Sequence, residues 1–165
     1  MANVELLTAE DAPLLARPFY MDGDPGPIAR ALAHLPELME LGLPFIGSVF
    51  AAGTVDGRLR EMVVLRVSSA NGCRYCTETH TGVARRMEFA ADEVAALRGE
   101  QPVPARWSVV ERAVLAFAEL LSDRPGHAVA ALRPHFADAA IVELVTLGAV
   151  TVMLNRFATA LELPV

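Results

Sequence analysis

Apolar residues recur at helical spacing along most of this chain, and the first quarter is where that period is weakest. From Gly57 onward Leu59, Met62, Val63, Leu65 and Val67 continue without a breaker until Asn71-Gly72, which predicts a helix ended by a tight turn. A second helix is expected from about Cys73 to Met87, and a short third over Ala91 to Leu97, ended by Gly99. After the linker QPVPAR, Ser108-Val109-Val110-Glu111 reads as a capping box. It opens a helix with Val110, Val114, Phe117 and Leu121 on one face and Glu111, Arg112 and Glu119 away from it. Arg124-Pro125-Gly126 breaks the pattern, a short helix follows to His135, and Asp138 is placed to cap a long final helix to about Leu161.

Upstream, short helices are expected over residues 28–35 and 37–41, punctuated by Pro36 and by Gly42-Leu43-Pro44, with a further one over 45–52. The stretch before Pro27 carries Asp-Gly-Asp-Pro-Gly-Pro and no periodic apolar face, so residues 1–26 read as an irregular arm. The β-branched pairs Val63-Val64 and Val109-Val110 sit inside helical periods rather than alternating runs. The expectation is an all-α, single-domain helical bundle over residues 27–165.

The final helix is apolar nearly all round from Ile141 to Leu154, which demands burial on more than one side. A second subunit or the core of the monomer could supply it. The uncharged run Leu144 to Asn155 is too short to span a bilayer and is closed by Arg156, so no membrane partner is expected. A net charge of −6 argues against a nucleic-acid face. The 14 basic residues are all arginine, which removes Schiff-base lysine chemistry. The acidic start lacks a basic segment followed by an apolar one, so no signal peptide is expected and a cytoplasmic, reducing location follows. There, two closely spaced cysteines point to catalysis or metal binding more than to a structural staple.

Both cysteines lie in Cys-Arg-Tyr-Cys-Thr-Glu-Thr-His, residues 73–80. On a helix Cys73 and Cys76 share a face at i and i+3, and His80 is one turn beyond Cys76 on the same stripe. A thiol pair and a base in that order can form a nucleophile, a resolving partner and a proton acceptor. Glu61 lies ten residues before Asn71 and His80 eight after Gly72, so both stand roughly 12–15 Å from the turn at ~1.5 Å rise per residue. An antiparallel hairpin would bring them level, with Glu61, Leu65 and Ser68 or Ser69 on the seam face. A Glu61–His80–Cys76 relay results.

Three readings compete: a redox dithiol, a zinc site of Cys73, Cys76 and His80 with Glu61 or water, and cysteines that merely pack. No second cluster of cysteine or histidine supports the zinc module, and no metal or organic cofactor is expected. His34, His127 and His135 read as solvated or capping groups, and the Arg58, Arg60, Glu61, Arg66 cluster as an exposed charged face. Tyr75 could donate near the site or line a subunit contact, and Asn155 and Arg156 could satisfy buried carbonyls or an interface carboxylate. Helix electrostatics favour Cys73 as the more acidic thiol, whereas the adjacent base favours Cys76.

The spacing Glu61-x11-Cys73-x2-Cys76-x3-His80, with LREMVVLRVSSANGCRYCTETHTGVAR around it and LNRFATAL near the end, resembles the carboxymuconolactone decarboxylase superfamily in its alkylhydroperoxidase D-like branch. The resemblance covers about residues 27–162. It implies an all-helical fold assembling into trimers or hexamers, and thiol-dependent reduction of hydroperoxides by an external dithiol donor. Position by position, it implies that Cys76 is oxidised to a sulfenic acid, that Cys73 closes the disulfide, and that His80 and Glu61 relay protons. The best-studied branch carries a histidine where this chain has Tyr75, and the decarboxylase branch generally lacks the cysteine pair. A redox-sensing or disulfide-relaying oligomer without turnover is the alternative from a different class.

Overall fold

A computed structural model describes residues 2–51 and 53–165, so Met1 and Ala52 lie outside the described residues. Among these residues there is no strand. The helices are α1 (Pro27–Leu32), α2 (Pro36–Phe50), α3 (Gly57–Ala70), α4 (Arg74–Arg86), α5 (Ala91–Leu97), α6 (Val109–Leu121), α7 (Pro125–Ala128) and α8 (Asp138–Ala160). Single 3-10 turns occupy Arg17–Tyr20 and Val129–Ala131.

The organising element is α3, which packs against α4, α6 and α8. Its run Met62, Val63, Val64, Leu65, Val67 is buried on every side, and Val114 and Phe117 of α6 and Leu144 and Leu147 of α8 close the core around it. Each such side chain contributes about 1.5–3 kcal/mol by leaving water. Gly148 lets α6 approach α8, because a Cβ there would meet the Leu121 side chain. The capping box opening α6 forms as expected: Glu111 N–H donates to Ser108 Oγ at 3.2 Å and Ser108 N–H to Glu111 Oε2 at 2.8 Å.

Three expectations change. Residues 36–50 form one helix, α2, running through Gly42-Leu43-Pro44. Pro44 is exposed, so the carbonyl it leaves unpaired one turn earlier is on a face that water reaches. Asp138 is the first helical residue of α8 rather than its cap, and its carboxylate takes a hydrogen bond from Arg133 at 3.0 Å. The segment before α1 is irregular but packed: Ala12 and Ala16 are buried with Ala29, Ala33 and Met39. Arg30 ties it down through Leu6 and Leu7 carbonyls at 2.9 and 3.1 Å.

Helix α8 is long and apolar enough to cross a membrane by length and composition, a test that core helices of soluble proteins also pass. Here it lies along α2, α3, α4 and α6. It buries Ile141, Leu144, Leu147, Val150 and Ala158, while Val142 and Met153 stay exposed.

Candidate functional site

The site is built by the turn between α3 and α4. Helix α3 ends at Asn71, and Gly72 adopts φ +66°, a conformation a side chain would strain, which reverses the chain. The Cys73 N–H bonds the Ser68 carbonyl at 3.1 Å, and Cys73 becomes the N-cap of α4. Its sulfur accepts the Cys76 N–H at 3.2 Å, so the thiol occupies the place usually held by a capping oxygen. Cys73 and Cys76 are joined as a disulfide, with their Cα atoms 5.4 Å apart.

One turn along α4, His80 meets Glu61 across the hairpin, Nδ1 to Oε1 at 2.9 Å. The level match expected from counting across Asn71-Gly72 is therefore realised. A carboxylate can only accept here, so Nδ1 is the donor and Nε2 is the nitrogen turned away from Glu61. Glu61 is buried and His80 partly so, and the Phe50 ring lies 6.1 Å from the imidazole, centroid to centroid.

Cys76 and His80 line the same small cavity, of about 90 Å³. Ile28, Phe50, Val64 and Leu154 form its apolar wall, and Ser68, Thr151 and Asn155 its polar one. Glu61 lies on the boundary of a second cavity of about 480 Å³, which shares Phe50 and Val64 with the first and opens past Thr54 and Arg60. Cys73 faces elsewhere, into a cavity of about 520 Å³ beside the end of α8. The two cysteines of one disulfide thus border different cavities.

The polar residues around this hairpin sort differently from expectation. The arginines of α3 do not form an exposed charged face: Arg60 is buried and bonds Glu143 at 2.6 Å, Arg58 bonds Glu93 at 2.6 Å, and Arg66 bonds Glu119 at 3.0 Å. Each therefore has its own carboxylate, and Glu61 is left to His80. Among the described residues Asn155 binds no backbone carbonyl: its Oδ1 accepts from Asn71 at 3.0 Å and its Nδ2 donates to Ser68 Oγ at 3.1 Å. Arg156 is exposed. Of the other histidines, His34 bonds the Glu5 carbonyl through Nε2 at 2.8 Å, at the surface.

Tyr75 lies half-buried in the apolar shell around the disulfide, with Ala31, Ala158 and Leu163, and borders both sulfur cavities. Burial pushes its phenol above the ordinary value and outweighs a hydrogen bond with Thr79, so the hydroxyl stays protonated. Phe50 and Thr151 were not picked out by sequence. Phe50 lay at the end of a helix whose continuity Pro44 obscured, and Thr151 is one polar position in an otherwise apolar run. Among the described residues no group of three or more His, Cys, Asp or Glu could hold a metal ion.

An all-helical bundle whose central hairpin carries this disulfide and histidine belongs to the alkylhydroperoxidase D-like class of folds. The chain belongs to the carboxymuconolactone decarboxylase family, whose profile matches residues 36–119. The uncharacterised protein YdfG of Bacillus subtilis strain 168 is 28% identical over 97 residues, 56% of this chain and 65% of YdfG. The chain thus spans just under two thirds of that relative. Among solved structures, an uncharacterised peroxidase-related protein with an alkylhydroperoxidase AhpD core from Ralstonia eutropha JMP134 superposes with a TM-score of 0.80 at 24% identity. That match covers 99% of this chain and 91% of the other. The debrominase Bmp8, in complex with 2,3,4-tribromopyrrole, gives the same TM-score at 23% identity, covering 99% of this chain and 93% of Bmp8.

Proposed function

We propose that this protein is a thiol-dependent peroxidase that reduces hydroperoxides through the Cys73/Cys76 pair. The observation that carries the reading is that Cys76 shares a cavity with His80, and that Glu61 fixes which nitrogen of His80 faces it. In the reduced protein His80 Nε2 takes the Cys76 proton, and Glu61 stabilises the resulting imidazolium. The thiolate attacks the O–O bond, giving a Cys76 sulfenic acid and an alkoxide that takes its proton back from His80. Cys73, whose sulfur caps the helix N-terminus beside the Cys76 N–H, then attacks as a thiolate, displaces hydroxide from the Cys76 sulfur and closes the disulfide. An external dithiol supplies the two electrons that reopen it. No metal or organic cofactor enters this cycle, and the cytoplasm would keep such a donor reduced.

Sustained turnover is the test. Reduced protein with dithiothreitol as donor should consume tert-butyl hydroperoxide in many-fold excess over protein. A protein that oxidises once and stops is a redox sensor or relay, the alternative reading. A second electrophile is favoured by the apolar wall of Ile28, Phe50, Val64 and Leu154: a halogenated heteroaromatic ring, the kind of molecule Bmp8 holds on the same fold. Release of bromide from a bromopyrrole, faster than peroxide turnover, would select it.

A second copy of this chain is the partner we propose for the exposed apolar residues Leu35, Leu38, Leu41 and Phe45 of α2 and its start, and Val142 and Met153 of α8. Burying them in a trimer or hexamer would complete the burial that the apolar pattern of α8 demands. Light scattering at micromolar concentration reads this directly: a monomer mass contradicts it.

A further inference from the structure

Resting on the peroxidase reading, the geometry points to Ser68 as the hydrogen-bond donor to the substrate oxygen that leaves when the O–O bond breaks. Ser68 is fully buried in α3 and lines the cavity shared by Cys76 and His80. Its oxygen accepts from Asn155 Nδ2 at 3.1 Å, and Asn155 is oriented in turn by Asn71, whose Nδ2 donates to Asn155 Oδ1 at 3.0 Å. Hydrogen bonds in this chain therefore run one way, from Asn71 through Asn155 to Ser68, and the Ser68 hydrogen must go onward.

Three other helical hydroxyls of this protein send that hydrogen back to their own backbone. Ser48, Thr146 and Thr151 each donate to the carbonyl four residues earlier, all at 2.8 Å. Among the described residues the Ser68 hydroxyl makes no such bond, although its helical position would permit one. A buried hydroxyl whose hydrogen lacks an acceptor is unfavourable by about 1–3 kcal/mol. Its retention beside a reactive sulfur is explained by an acceptor that arrives with the substrate.

The step balances as follows. The Cys76 thiolate displaces RO⁻ from ROOH, the sulfur loses two electrons to become the sulfenic acid, and the O–O bond is reduced. His80 supplies the proton that converts RO⁻ to ROH. Ser68 transfers no proton. It donates a hydrogen bond to the oxygen on which negative charge develops.

The test compares wild type with Ser68→Ala, each as the reduced full chain, by two rates at Cys76. One is single-turnover oxidation by tert-butyl hydroperoxide, and the other is alkylation by iodoacetamide, which needs the thiolate but has no oxygen leaving group. Loss of the donor should slow peroxide oxidation about tenfold or more and leave alkylation within about twofold. Asn71→Ala, at the half-exposed far end of the chain, should give a smaller loss of the same kind, and tests the idea even if Ser68→Ala fails to fold. Equal peroxide rates in wild type and the variants overturn the inference, as does a parallel loss in both rates, which would place the effect on the thiol. A wild-type protein oxidised no faster than free cysteine overturns the peroxidase reading itself and is recognised by that single rate.

Discussion

Two polar clusters sit beside α3, one toward α5 and α6 and one toward α4 and α8, and only one of them is chemically open. In the first, Glu93 Oε1 takes Arg58 at 2.6 Å and the Trp107 indole at 2.9 Å, while Oε2 takes the Ala90 N–H at 2.9 Å. Glu111 is equally occupied, by Arg58 at 3.2 Å and by Ser108 N–H and Oγ at 2.8 and 2.9 Å. The Arg58 guanidinium lies 4.0 Å over the Phe89 ring. In the other cluster, among the described residues, His80 Nε2 and the Ser68 hydrogen make no hydrogen bond, and both residues line a cavity with Cys76. Full satisfaction makes the first cluster a brace between α3, α5 and α6. Unused valences converging on one space make the second a site.

Substitutions should separate the two clusters, and the largest effect belongs to the sulfurs. Cys76→Ser should reduce hydroperoxide turnover to the uncatalysed background, and Cys73→Ser should permit one oxidation and no second, both read by steady-state peroxide consumption. Next come His80→Ala and Glu61→Gln. Loss of general-base catalysis is worth about 10²–10⁴ in rate, so His80→Ala should fall in that range, and Glu61→Gln by less. Both also remove the bond that ties α4 to α3, so each should lose some stability in urea unfolding, His80→Ala the more because it leaves the buried Glu61 without its partner.

The brace should behave in reverse. Burial pushes the Glu93 carboxyl up, but hydrogen bonds from Ala90 and Trp107 with the Arg58 and Arg106 charges outweigh it and hold the pKa below its ordinary 4.5. A depressed pKa means stability that is full above the unfolded value and lost as pH falls through the folded one. Glu93→Gln should therefore lose about 2 kcal/mol at pH 7 in urea unfolding, with peroxidase activity intact. Its disadvantage should shrink as pH falls below 4.5. The smallest effect is expected from Gly72→Ala. Forcing a side chain into φ +66° should weaken the fold by about 1–2 kcal/mol, and the same urea titration measures it.

How far the sequence foretold this contrast depended on the range of the interactions. The hairpin was legible because its parts are local: Asn71-Gly72 stops a helix, and helical rise alone brings Glu61 level with His80. The capping box of α6 was legible for the same reason. What distinguishes the two clusters was not, because it depends on contacts distant in sequence. Arg58, Arg60 and Arg66 looked like one charged face, yet each meets a carboxylate on another element, at Glu93, Glu143 and Glu119. Asn155 reaches Ser68 across 87 positions. Pro44 misled for a different reason, since local propensity disfavours a helix there and the solvent-facing position tolerates it.

The central claim is that the open cluster between α3 and α4 presents Cys76 to a hydroperoxide. Its most direct measurement is mass spectrometry of reduced Cys73→Ser after a single equivalent of tert-butyl hydroperoxide in the presence of dimedone. The account predicts a stoichiometric dimedone adduct on Cys76, with wild type giving the Cys73–Cys76 disulfide instead. An unmodified Cys76 in protein that has consumed the peroxide would contradict it.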